Sequence, residues 1–125
     1  MQSVVDPLVC RAINLLADTR FHRSLWLSPS LKNGRSSPLR VTYSDLGQPG
    51  GEPLLVCGGL YGSRYTLAQA DKFAKQRRVR LITPDKPGIG GTGAVDITSK
   101  VKTWLGKLSF AHTHASCPRT HRLHL

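Results

Sequence analysis

Acidic residues are scarce in this chain: seven Asp and Glu stand against 18 Lys and Arg in 125 residues, a formal net charge of +11. Aromatic residues are also few, at 6%, a thin supply for a surface that stacks on nucleobases. Cys10, Cys57 and Cys117 are odd in number and widely spaced, which excludes a secreted disulfide framework and leaves reduced thiols. Cys57, at the end of an apolar run, reads as a small buried side chain and not as a nucleophile. The uncharged stretch Pro53 to Ser63 is far shorter than the ~18 apolar residues of a membrane-spanning helix. No basic residue precedes Arg11, and Asp6 and Pro7 interrupt the first apolar segment, unlike a secretory signal. A cytoplasmic protein that does not span a membrane is the expectation. What remains, 39% hydrophobic residues with eight prolines spread along the chain, suffices for one folded domain and hardly two.

The positive charge is dispersed. Residues 1–40 carry six basic and two acidic side chains, 41–105 nine and five, and 106–125 three and none. The one dense patch is Lys75, Arg77, Arg78 and Arg80. At a helix C-terminus such cations meet the negative end of the macrodipole, a structural role that needs no phosphate. A small basic nucleic-acid binder is the competing reading, supported by a pI of about 10.3 and weakened by the dispersed charge.

Residues 3–18 place Val4, Val5, Leu8, Val9, Ala12, Ile13, Leu15 and Leu16 at helical spacing, which predicts an amphipathic packing helix. Ser24 to Ser28 fits a short strand, and Leu39, Val41 and Tyr43 alternate with Arg40, Thr42 and Ser44. The turn-rich stretch Pro29 to Pro38 between them predicts an antiparallel hairpin. Leu46 to Gly51 reads as a loop. Pro53 to Cys57 is a continuous apolar run, as in a parallel strand covered on both faces. Thr66 and Gln69 have capping-box spacing and predict a helix start, with Leu67, Ala70, Phe73 and Ala74 as its buried stripe. Val79 to Thr83 is a second apolar strand, completing a right-handed βαβ crossover.

Two glycine-rich segments follow strands in this order. Gly88, Gly90 and Gly93 match the spacing GxGxxG, yet four residues, Pro84 to Pro87, intervene after the strand. The dinucleotide fingerprint needs its glycine at the strand end and a carboxylate about twenty residues on; nothing after Asp96 is acidic. Neither loop ends in Gly-Lys-Ser or Gly-Lys-Thr, so neither is a P-loop. No cofactor is expected.

The succession of Tyr43-Ser44-Asp45-Leu46-Gly47, an apolar strand ending in Gly58-Gly59-Leu60, a helix, a strand and Asp85-Lys86-Pro87-Gly88-Ile89-Gly90 resembles the N-terminal portion of an α/β-hydrolase. Val41 to Gly47 looks like the second strand and its loop, Gly58 to Gly62 like the His-Gly loop after the third, and Asp85 to Thr92 like the turn after the fourth. Gly62-Ser63-Arg64-Tyr65 is similar to the variant found in fungal hydrolases. The resemblance covers roughly residues 20–105. It implies an α/β fold, a truncated α/β-hydrolase with an N-terminal helix, an antiparallel β-hairpin and one parallel βαβ unit. It also implies hydrolysis of an ester-like or related bond in a small-molecule substrate by the full-length parent. Gly59 and Leu60 become the oxyanion-loop candidates, the Leu60 N–H being the donor, and Asp85, Pro87, Gly88 and Gly90 the structural turn. Gly58 stands where the family usually has histidine.

A hydrolase of this family also needs a nucleophile on a Gly-x-Ser-x-Gly elbow, followed by an acid and a histidine. These residues contain no such elbow: Ser63 lacks the second glycine and Ser99 is followed by Lys100 and Val101. No catalytic residue is therefore expected here, and the chain alone is expected to be inactive. In the family the strand Pro53–Cys57 is flanked by the next strand of the sheet, so its edge is expected to self-associate here. The division expected is residues 1–19 as the helix, 20–105 as the partial hydrolase domain and 106–125 as a basic, histidine-rich, disordered tail. His112, His114, Cys117, His121 and His124 are zinc-ligand types without the spacing of a structural zinc site, so no metal is expected. The tail reads as translation through an unspliced intron or an altered frame. That predicts a genomic sequence in which removing an intron after codon 105 restores a frame encoding Gly-x-Ser-x-Gly; absence of any such frame contradicts it.

Overall fold

The computed structural model describes residues 4–58, 62–96 and 98. Gly59, Leu60, the whole tail and the segment with Val101, Trp104 and Leu105, whose apolar residues suggest the start of a helix, lie outside the described residues. Helix α1 spans Pro7–Ala17; strands β1 (Arg23–Leu27), β2 (Leu39–Gly47) and β3 (Glu52–Leu55), helix α2 (Asp71–Gln76) and strand β4 (Val79–Pro84) follow. The four strands form one sheet in the order β1-β2-β4-β3. β1 and β2 are the antiparallel hairpin, with Leu25 opposite Val41. β2 runs antiparallel to β4. β3 and β4 are parallel, Leu54 facing Leu81, and are joined through α2. This is the α/β arrangement that the sequence predicts.

Helix α1 starts where Asp6 caps it, its carboxylate accepting from Leu8 N–H at 2.8 Å, with Pro7 in the first turn. Such a cap satisfies one of the orphan donors of the first turn. Its apolar stripe is not packed as expected: Val5, Leu8, Val9, Ile13, Leu15 and Leu16 are all exposed. The sheet's core is complete without it, because Phe21 supplies the side chain that closes the cluster of Leu46, Ala74 and Leu81. Phe21 stacks on Tyr65 at 5.4 Å between ring centroids.

Three local expectations change. First, β2 continues to Gly47 where a loop was anticipated, and Asp45 and Leu46 are buried. The glycine turn lies against Thr42 through Gly91 and Thr92, and Thr42 and Ser44 are as buried as Val41. Second, Thr66 caps no helix. Its hydroxyl accepts from Ser63 N–H and donates to Ser63 C=O, and α2 begins only at Asp71, after a 3₁₀ turn at Ala68–Ala70. Of the stripe assigned to it, Ala74 is buried, Leu67 and Ala70 are half-buried and Phe73 is 60% exposed. Third, β3 is an edge strand and is not covered on both faces: Leu54 is 51% exposed and Cys57, beyond the strand end, is exposed as well.

Most of the basic patch is spent locally. Lys75 pairs with Asp71 one turn earlier, the Arg77 guanidinium lies over the Phe73 ring, and Arg80 grips buried Asp45. Asp71 ties α2 to the sheet, accepting from Gly47 N–H at 2.7 Å and from Arg20 at 2.8 Å. Burial works against the Asp71 charge, but Arg20, the Gly47 N–H and Lys75 outweigh it and hold its carboxyl below the ordinary 3.8. Hydrogen bonds from Arg20 do the same for Asp18. A folded value below the unfolded one means stability that is present above 3.8 and is lost as the pH falls through the depressed value. Thermal unfolding followed across that window should show this acid loss, and Asp71→Asn should flatten it; an unchanged profile in the variant would contradict the assignment.

Candidate functional site

Beyond β3, pairing with β4 continues one residue through Val56 N–H to Ile82 C=O, and the chain then leaves the sheet at Cys57 and Gly58. β4 ends beside it at Pro84 and delivers Asp85. Both glycine-rich segments thus emerge at the carboxyl ends of adjacent parallel strands, the place where open α/β sheets hold their ligands.

The two segments are locked together by a buried ion pair. Asp85 is fully buried, and both of its carboxylate oxygens are engaged. Oδ1 accepts from Arg64 N–H at 2.7 Å, and Oδ2 accepts from Arg64 Nη1 and from Thr42 Oγ1, each at 2.5 Å. The Asp85 N–H donates to Thr42 C=O. Thr92 Oγ1 donates to Asp85 C=O while accepting from Thr42 N–H. Arg64 also reaches the Tyr65 hydroxyl at 3.0 Å. Burial opposes the charge on Arg64, but Asp85 raises its pKa above the ordinary value. One carboxylate therefore fixes β2, the turn after β4 and the segment that begins at Arg64.

The turn residues named from sequence serve this lock. Pro87 is buried. Gly88 and Gly90 have φ of 78° and 59°, a region costly for side-chain-bearing residues. At Gly90 there is a second constraint, because a Cβ would lie 2.3 Å from Asp85 Oδ2 and 2.6 Å from Arg64 Nη1. The turn then runs into irregular chain at Gly93–Asp96, so Gly88, Gly90 and Gly93 do not open a helix as a dinucleotide site requires.

Gly58 packs close to the far side of the loop: a Cβ there would meet Gly62 Cα at 3.3 Å. Any residue with a side chain there would have to push Gly62 aside by a few tenths of an ångström. Gly59 and Leu60 lie between these two anchors, outside the described residues.

Nucleophilic chemistry finds no equipped group among the described residues. Ser63 Oγ accepts from Tyr65 N–H at 3.4 Å. His22, the one described histidine, has Nε2 at 2.6 Å from Leu16 C=O. Asp85 is fully buried, with both oxygens held in the lock. Cys57 is exposed, contrary to the expectation of a buried thiol, because among the described residues no strand covers the far side of β3. Desolvation, only partly offset by Lys86, raises its pKa, so it stays a thiol at neutral pH and a poor nucleophile. No group of three or more metal-ligating side chains occurs among the described residues, and none of their helices is long and apolar enough to cross a membrane.

The sequence indicated Asp85 but not its partners. Arg64 lies 21 positions away, and Thr42 falls on the face of β2 that its alternation assigns to solvent. An acid in a glycine turn directly after an apolar strand, in a chain so poor in acids, is the one signal that could have marked it as buried and paired.

No family model matches the chain, and no curated protein matches it. Solved structures do. It is similar to the thioesterase domain from the curacin biosynthetic pathway, with 15% identity and a TM-score of 0.57 over 74% of this chain and 33% of that one. It is similar to a candidate aryl esterase from Burkholderia cenocepacia, with 24% identity and a TM-score of 0.56 over 74% of this chain and 34% of that one. A third similar structure is an epoxide hydrolase from Vigna radiata, with 17% identity and a TM-score of 0.52 over 77% of this chain and 30% of that one. The chain thus spans about a third of the length of these structures. Its described part has a partial α/β-hydrolase fold.

Proposed function

We propose that this chain is the front portion of a fungal-type α/β-hydrolase whose complete parent cleaves an ester-like or related bond in a small molecule. The observation that supports the reading is the Asp85–Arg64 lock, which ties the segment beginning at Arg64 to the turn after β4 at the carboxyl ends of two parallel strands. In this reading Gly59 and Leu60 supply the loop backbone, and the Leu60 N–H donates to the oxyanion that develops on the substrate. Residues 20–105 form the partial domain, residues 1–19 a helical arm and residues 106–125 a tail, in a cytoplasmic protein. The 125 residues by themselves are inactive, because oxyanion donors without a nucleophile and base give little catalysis.

The test is turnover of a p-nitrophenyl ester by the purified chain beside a chain lacking Leu60. Equal rates, at the level of the buffer, are expected; saturable turnover that the deletion abolishes would overturn the proposed inactivity. Filter binding of nucleic acid across a salt series tests the competing class. A steep salt slope with saturation would favour a basic nucleic-acid binder, and the consumption of Lys75, Arg77 and Arg80 in local contacts predicts only weak, unsaturable binding.

A further inference from the structure

A second concavity lies away from the oxyanion loop, between the β1–β2 connection and the end of the glycine turn. It is a cavity of about 350 Å³ bounded by Trp26, Arg35, Ser37, Arg40, Val95 and Asp96 among others, within the range of small-molecule sites. Its frame is fixed on both sides. Ser30 and Arg35 exchange both backbone hydrogen bonds, at 2.8 and 2.9 Å, around a 3₁₀ turn that Gly34 closes with φ of 69°. On the other wall Gly93 N–H donates to Arg40 C=O at 2.9 Å.

Arg35 is the unusual member. It is 8% exposed, and its guanidinium makes one hydrogen bond, Nε to Ser28 C=O at 3.1 Å. Its Nη1 is buried with no partner among the described residues. Each other arginine buried to a comparable degree meets a carboxylate: Arg20 meets Asp18 and Asp71, Arg64 meets Asp85, and Arg80 meets Asp45. A guanidinium taken out of water without a counter-ion is costly, and its fork of donors matches an oxyanion.

We propose that this cavity binds a small monoanion, a carboxylate carrying an apolar group, with Arg35 as its counter-ion. Among the described lining residues the cationic side chains, Arg35 and Arg40, stand beside apolar Trp26 and Val95, which suits a carboxylate carrying an apolar group better than a phosphate dianion. Trp26, 58% exposed at the wall, and half-buried Val95 offer apolar surface to the rest of the ligand. The inference is independent of the hydrolase reading, since it uses neither Gly59 and Leu60 nor the Asp85 lock.

Equilibrium dialysis of labelled benzoate against the whole chain tests it, with acetate and inorganic phosphate as competitors. Trp26 fluorescence in a Trp104→Phe chain locates the binding. Saturable benzoate binding that perturbs Trp26 is expected, with acetate and phosphate each competing at least tenfold less well and with Arg35→Met weakening benzoate at least tenfold. Arg40→Met, which removes an exposed charge, should weaken it severalfold less. Should Arg35→Met not fold, the Trp26 response of the chain with native Arg35 decides alone. No saturation, binding that leaves Trp26 unperturbed, equal binding by a folded Arg35→Met chain, or phosphate outcompeting benzoate would each overturn the proposal.

Discussion

Replacing Asp85 with alanine is expected to abolish or nearly abolish folding of the domain. The substitution leaves Arg64 charged and only 14% exposed, and it strips Thr42 Oγ1 and Arg64 N–H of their acceptors. Breaking a buried ion pair from one side costs about 3–5 kcal/mol, against a total stability of only about 5–15 kcal/mol for a domain. A drop in Tm of more than ~12 °C follows for a domain of this size. Gly90→Ala should act on the same lock by a different route, because its Cβ falls on Asp85 Oδ2 in a backbone region that already disfavours it. Removing both charges is the informative control. In the double variant Arg64→Met, Asp85→Ala no buried charge is left unpaired, so it should melt above Asp85→Ala alone. Calorimetry or circular dichroism on the four chains decides this; a Tm for Asp85→Ala within a few degrees of the parent would show that the lock does not hold the two segments.

The second large effect is expected at the open side of the sheet. β3 is the edge, and an apolar groove of about 290 Å³ runs along it, lined by Leu54, Val56, Phe73 and Ala74 among others. Leu54 and Phe73 are more than half exposed. An unpaired strand beside apolar side chains is a template for strand addition, which natural sheets suppress with charge on the edge. Leu54→Lys places such a charge there without disturbing the pairing of β3 with β4. The variant should raise the soluble fraction on expression severalfold. If solubility is unchanged while the variant folds, association does not proceed through β3.

The hairpin and the βαβ unit were legible because each is governed by local pattern. Pro29 to Pro38 cannot continue a strand, and the two apolar runs flanking α2 differ in period from the helix between them. What could not be read depends on what lies opposite a residue in space. Thr42 and Ser44 look like a solvent face until β4 and the glycine turn are seen to cover them. Thr66 looks like a cap until its hydroxyl is seen bonded to Ser63. The apolar run at β3 looks like an interior strand, and in this sheet it stands at the edge with Leu54 and Cys57 exposed. The same limit applies at the site. Asp85 and its glycines stand out in the sequence, but the arginine that gives Asp85 its role is visible only once β3 and β4 lie side by side. Arg35, with no counter-ion among the described residues, left no trace in composition at all.

The central claim is that the described residues form a partial α/β-hydrolase fold whose strand β3 has no neighbour on one side among them. Sedimentation velocity over a hundredfold range of concentration tests it most directly, run on the native chain and on Leu54→Lys. The account predicts concentration-dependent growth of the native chain beyond a monomer, reduced in the variant. A single sharp monomer boundary for the native chain at the highest concentration would contradict it.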